Sequence, residues 1–226
     1  MKIAVSLRNE LWLVLLVTGC LGAFAAENAD LTIKGVIRPS ACSVDLSGDG
    51  NVYFGTISSR ALSDTKPTML PEQEITMTMT CDAATVVGYR LVDNRAGTAA
   101  PVLRGLDANI GETMGFGMGT VDGKNLGAYA IRALPADAVA DGAAVAGGTR
   151  SVDGGATWLS ATAVFDYVAP MVVSAWAAVD GGEPLRYRTV AQVLKLAAAV
   201  DSKANLPELT TNLRLEGSAT VSVVYL

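Results

Sequence analysis

Three kinds of residue in this chain could carry chemistry: cysteines, carboxylates and glycine-rich turns. Cysteines stand at Cys20, Cys42 and Cys81, and histidine is absent from all 226 residues. Without histidine there is no Ser-His-Asp or Cys-His nucleophile pair and no imidazole metal ligand. The thiols alone are too few for a metal centre. Carboxylates are plentiful at Asp137, Asp141, Asp153, Asp166 and Asp180, but Asp141, Asp153 and Asp180 directly precede glycine, as turn residues do. Gly115-Phe-Gly117-Met-Gly119 has the glycine density of a phosphate loop, yet no helix and no Lys-Ser/Thr pair follows at the required spacing. Its glycines instead leave a flat strand face that another backbone or ring can approach. Arg186-Tyr187-Arg188 is a small basic cluster in a chain of 17 Lys+Arg against 22 Asp+Glu, net −5, which offers no basic surface to nucleic acid. The chain therefore reads as no enzyme, with no cofactor.

Ser151-Val-Asp153-Gly-Gly155-Ala-Thr157-Trp158 fits the pattern S-x-D-x-G-x-T-W, the Asp box of sialidases and related propellers. The Asp and Gly of that box shape a hairpin turn and the Trp packs beneath it, so its role is structural. It should recur once per blade, and a single copy cannot build a propeller. The expectation here is a β-hairpin with a packed Trp158.

Positioning begins with an address. Residues 1–25 carry a charged start (Lys2, Arg8), an apolar run Leu11–Val17 and a small-residue exit Ala23-Phe24-Ala25, the three-part pattern of a secretory signal peptide. The run is shorter than the roughly 20 apolar residues of a membrane span. Val17-Thr18-Gly19-Cys20 also fits a lipoprotein lipobox, although the apolar Leu21–Ala26 that follows would then replace the polar tether such proteins need. Cleavage after Ala25 leaves Cys42 and Cys81, and an exported pair with no spare thiol most simply forms one disulfide.

The remaining chain alternates with period two. Leu31, Ile33, Gly35 and Ile37 share one face; so do Ile75, Met77, Met79 and Cys81; so do Met114, Phe116 and Met118; and Ala219, Val221, Val223 and Tyr225 close the chain. Ser47–Gly50, Asp93-Asn94, Asp122-Gly123, Asp153–Gly155 and Asp180–Gly182 mark turns between the runs. Thr189–Val200 satisfies helical spacing as well as alternation and is assigned as a strand. Residues 133–150, rich in Ala and Gly, read as a long surface excursion. Strands with frequent Gly/Asp turns and no regular helical partners argue for a sandwich.

The stretch Leu31–Val44 (L-T-I-K-G-V-I-R-P-S-A-C-S-V), the strand I-T-M-T-M-T-C ending at Cys81, and the final A-T-V-S-V-V-Y-L together resemble the subunits of chaperone–usher pili. Across nearly the whole mature chain the likeness is closer to an uncharacterised family of fimbrial-type exported proteins from proteobacteria. It is carried by Gly35–Cys42, Asp93–Gly97 (D-N-R-A-G), Asp153–Trp158 (D-G-G-A-T-W) and Gly217–Leu226.

The resemblance implies an all-β, immunoglobulin-like (pilin) sandwich that is incomplete and is completed by a donated strand. Residues 1–25 would be the signal peptide, 26–38 the donor-strand extension and 39–226 the sandwich domain, with its extra length in loops between Asp93 and Pro184. Leu31, Ile33 and Ile37 would be donor side chains and Gly35 the position where only hydrogen fits. Cys42–Cys81 would staple the first strand to the sandwich. Ala219, Val221, Val223, Tyr225 and the Leu226 carboxylate would form the C-terminal strand gripped by a periplasmic chaperone. The implied partners are that chaperone, an outer-membrane usher and neighbouring subunits, on a path through the periplasm to a fimbrium at the cell surface. A receptor-binding adhesin at or near the pilus tip is the alternative role. An exported β-sandwich lipoprotein is a more distant one.

Overall fold

The strands begin with the Cys-anchored β1 (Cys42–Leu46), β2 (Thr68–Met69) and the long β3 (Gln73–Asp93). They continue with β4 (Phe116–Gly117), the small ribbon of β5 (Thr120–Val121) and β6 (Lys124–Asn125), and β7 (Gly127–Arg132). Next come β8 (Ala138–Ala140), β9 (Ala143–Ala144), β10 (Gly147–Ser151) and β11 (Leu159–Ser160). The last three are β12 (Val173–Ala177), β13 (Arg186–Val200) and β14 (Ala219–Tyr225). This computed structural model describes residues 41–108, 110–161 and 167–226. The signal-peptide and donor-extension assignments, with Leu31, Ile33, Gly35 and Ile37, lie outside the described residues.

The fold is an all-β sandwich, and β3 organises it. Its first half lies between β1 and β13; its second half lies between β14 and β12, with all pairings antiparallel. The strand passes from one layer to the other across Asp82, Ala83 and Ala84, which are exposed. Ile75, Met77, Met79 and Cys81 from the first half and Val87, Tyr89 and Leu91 from the second enter one shared core. The alternation lapses at the bend but keeps its odd-numbered phase on both sides, so both halves turn the same face inward. Beyond β13 the first layer continues through β7 to β4, and beyond β12 the second continues through β10 to β11.

Thr189–Val200 is strand, as assigned: it is the inner part of β13. Its C-terminal end is buried on both faces. Ala198 belongs to the central core, whereas Ala199 packs with Ala128, Ala130, Val102, Leu103, Ile110 and Met114 on the far side of the layer. Residues 99–108 and 110–114 thus form a cover over the back of β7 and β13.

Two expectations are corrected here. Residues 133–150 are not a surface excursion: they hold β8, β9 and most of β10, and Ala138, Ala140 and Val145 are buried. The extra length between Asp93 and Pro184 likewise supplies core strands β10 and β12 rather than loops alone. The reason is side-chain size. A Cβ on Gly148 would stand 2.5 Å from Pro135 Cγ and 2.9 Å from Ala161 Cβ. Small residues here mark close packing, not a lack of core.

Asp141 and Gly142, both at positive φ (49° and 83°), make the two-residue turn between β8 and β9. The Asp141 carboxylate then accepts the backbone N–H of Arg188 (3.1 Å) and of Thr189 (2.8 Å), where β13 shifts register against β3.

Met171 is a site of backbone strain. It is exposed, follows Pro170 in the turn closed by Val172 N–H to the Ala169 carbonyl, and has φ 70°, a conformation that favours glycine. Met171→Gly is expected to stabilise the fold by about 0.5–1 kcal/mol, the relieved strain less the added chain entropy of glycine. Urea unfolding at constant m-value would show it; a lower midpoint would mean that the Met171 side chain holds something glycine cannot.

Candidate functional site

The terminal strand β14 pairs with β3 from Ala219 opposite Asp93 to Tyr225 opposite Val87. Among the described residues nothing pairs with its other edge. Ala219, Val221 and Val223 point at the core but are only partly buried, whereas Leu91, opposite Val221, is fully buried. An edge strand with a half-covered apolar face is a template for another strand.

The edge is fixed at its start by the Asp93–Thr98 turn. Asn94 N–H donates to the Ser218 carbonyl (3.0 Å), and its side-chain amide donates to Ser218 Oγ and Thr220 Oγ1 (3.0 Å each). Arg95 pairs with Glu216 at 3.2 Å. Asp93 accepts N–H groups from Arg95 (2.8 Å) and Gly117 (2.9 Å), tying the turn to β4. Gly117 permits this approach, since a Cβ there would collide with the Arg95 carbonyl and Thr98 Oγ1. Within the Gly115–Gly119 run it is Gly117 against which another backbone docks; Gly115 is met by the Leu103 side chain.

At its far end β14 meets β1. The Tyr225 hydroxyl accepts the Cys42 N–H at 2.8 Å, and Leu226 N–H extends the ladder to the Val86 carbonyl at 3.1 Å. Cys42 is the register partner of Cys81, and the two form a disulfide. The cysteine pairing and the C-terminal tyrosine, separate features in the sequence, are neighbours here.

Between the segment that follows β1 and the one that precedes β14 the surface is open. Val52–Ile57 follows β1 outside any regular element, with Gly55 at φ 71°, and Leu209–Leu215 passes from a turn at Leu209-Thr210 towards β14; neither makes a backbone–backbone hydrogen bond to the described residues. They line a groove of about 950 Å³ floored by Leu62, Leu126, Val200 and Leu206. Val52, Phe54, Ile57, Leu213 and Leu215 are half-buried along it, each packed against the underlying cores. Unpaired backbone beside an apolar trough can take a strand: the main chain supplies hydrogen bonds and alternate side chains fill the trough. The sequence carried this signal in the alternations Val52/Phe54 and Leu213/Leu215, to which no role was given.

The acidic residues singled out in the sequence are not brought together as an acid/base pair. Asp180 accepts the Gly148 N–H at 2.9 Å, Asp141 holds the register shift of β13, and Asp166 lies outside the described residues. Asp137 sits 2.9 Å from Lys195 Nζ, with Glu74 at 3.9 Å. A lysine between two carboxylates could form an amide cross-link only as the free amine. The hydrogen bond to Asp137 instead raises the pKa of Lys195 and keeps it an ammonium ion.

The Asp-box sequence is a hairpin, as expected. Strands β10 and β11 pair through Thr149–Ser160 and Arg150–Leu159, and Trp158 is half-buried. Asp153 accepts the Ser151 hydroxyl (2.6 Å), the Thr157 hydroxyl (2.6 Å) and the N–H groups of Thr157 (2.9 Å) and Ala156 (3.1 Å). The Ser151 bond first, then those from Thr157, hold its carboxyl well below the usual carboxylate range. A depressed carboxyl pKa means that the loop's support is complete at neutral pH and is lost only in strong acid, as pH falls through the folded-state value.

Residues 31–130 match the model of a family described as a protein of unknown function (DUF1120). The chain is also similar to the uncharacterized protein YhcF of Escherichia coli (strain K12), at 32% identity over 124 residues. That match covers 49% of this chain and 52% of the relative, so the chain spans about half the length of the curated protein it matches.

Proposed function

We propose that this chain is a structural subunit of a chaperone–usher pilus that polymerises by strand donation. The observation that carries the reading is the groove: two segments without backbone partners among the described residues, one of them leading into an edge strand whose apolar face is half covered. The donor is the alternating segment Leu31, Ile33, Gly35 and Ile37 of a neighbouring subunit. Before assembly a periplasmic chaperone lends the strand and grips β14 at Tyr225 and Leu226; the exchange takes place at an outer-membrane usher. The disulfide supports this setting, since such bonds persist in exported proteins. Strand addition also explains why the terminal strand is held at both ends yet open along its length.

The test uses the chain from residue 39 onward and a synthetic peptide of residues 26–38. Saturable binding should raise the thermal midpoint with peptide concentration, because a ligand of the folded state alone stabilises it. No binding and no shift, from a truncated chain that stays monomeric and folded, would overturn the reading.

A further inference from the structure

The Asp-box hairpin reaches the C-terminus. A Cβ placed on Gly155 would stand 3.2 Å from Leu226 Cδ2 and 3.6 Å from Trp158 Cζ2, and Gly155 has φ 102°, a conformation L side chains rarely adopt. The hairpin springs from β10, which is separated from β14 by β12 and β3. Its loop nevertheless meets Leu226. Every hydrogen-bonding group that shapes the loop is spent internally: Ser151 Oγ accepts Gly155 N–H (2.7 Å) and donates to Asp153, whose two oxygens take the Ala156 and Thr157 groups. The loop is thus held by its own bonds, and Leu226, 40% exposed, is the side chain against Gly155.

We propose that the Ser151–Trp158 hairpin is a clasp on the C-terminal residue that sets β14 in place for strand addition. The inference rests on the strand-donation reading for its purpose, but the clasp itself rests on the contact. Past Tyr225 the β14–β3 ladder has one more bond, from Leu226 N–H to Val86, and the last pairs of a ladder are the first to open. A frayed end would have to be ordered again each time a strand is added. A seated Leu226 removes that step, because ordering a side chain and its backbone in advance lowers the cost of association. Ser151, Asp153 and Gly155 are positioning residues here.

Hydrogen exchange by mass spectrometry on the mature chain tests the clasp. In Asp153→Ala, amides of residues 221–226 should exchange at least tenfold faster while those of residues 190–200 keep their native rates. Asp153→Asn, which keeps an acceptor for the Ala156 and Thr157 N–H groups, should restore protection. Leu226→Ala should mimic Asp153→Ala and add nothing to it. Association of the residue 26–38 peptide should slow by the same factor, with dissociation unchanged. Native exchange in Asp153→Ala, or equal acceleration in residues 190–200 and 221–226, would overturn the clasp. Failure of the wild-type chain to bind the peptide, with the exchange pattern as expected, would count against strand donation and leave the clasp standing.

Discussion

Replacing Cys42 and Cys81 together by alanine is expected to lower stability by about 3–4 kcal/mol, the loop-closure entropy restored to the unfolded chain when a cross-link over some 40 residues is lost. The sequence separation is 39. Alanine is the right replacement because Cys81 is buried and serine would add an unpaired hydroxyl. The bond also fastens β1 where the groove begins: Cys42 N–H is held by Tyr225, and Val52 follows β1 by only a few residues. Losing the cross-link should therefore loosen the Val52–Ile57 lip as well as the whole fold. Urea unfolding of oxidised wild type and the double variant gives the stability difference, and peptide affinity gives the effect on the groove. A stability loss below about 1 kcal/mol would show that β1 is held mainly by its ladder to β3.

Val221→Lys is expected to abolish binding of the residue 26–38 peptide, a loss above a hundredfold, while the chain still folds. Val221 is half-buried on the core-facing side of β14, and its partner Leu91 is fully buried beneath it. An ammonium group there can reach water only while the free edge of β14 is uncovered. A donated strand would bury it without a counter-charge, a penalty of several kcal/mol. Ser222→Asp, on the opposite face of the same strand and opposite Arg90, is the control and should leave affinity within a factor of two. Isothermal titration of the three chains with one peptide decides it. Equal affinities would place the binding surface away from β14.

Alternation made β3 and β14 legible because each buries one face and turns the other outward over much of its length. It blurred in β13, where Ala198 and Ala199 enter different cores on opposite sides of one layer. A strand buried on both faces loses its period-two signature and can pass for a helix. Residues 133–150 were misread for a related reason: glycine and alanine look like loop in composition and act as close-packed backbone in space. The Asp93-Asn94 turn was visible, but its work was not, since its partners Glu216, Ser218 and Thr220 lie over 120 positions away. The handle role proposed for Tyr225 and Leu226 comes only from likeness to pilus subunits, and the hairpin touching Leu226 had no trace in either segment alone.

The β14–β3 ladder has a mechanical meaning. Its seven residues run antiparallel to β3 with both ends tied, by the Asn94 turn at one end and by Tyr225 and Leu226 at the other. A pull along β14 loads these bonds side by side, in shear, so no single bond opens first as it would if the strand were peeled from one end. Tension entering through a strand paired to the outer edge passes into β3 and, through Cys81, reaches a covalent tie to β1. The load path of the molecule is its longest strand.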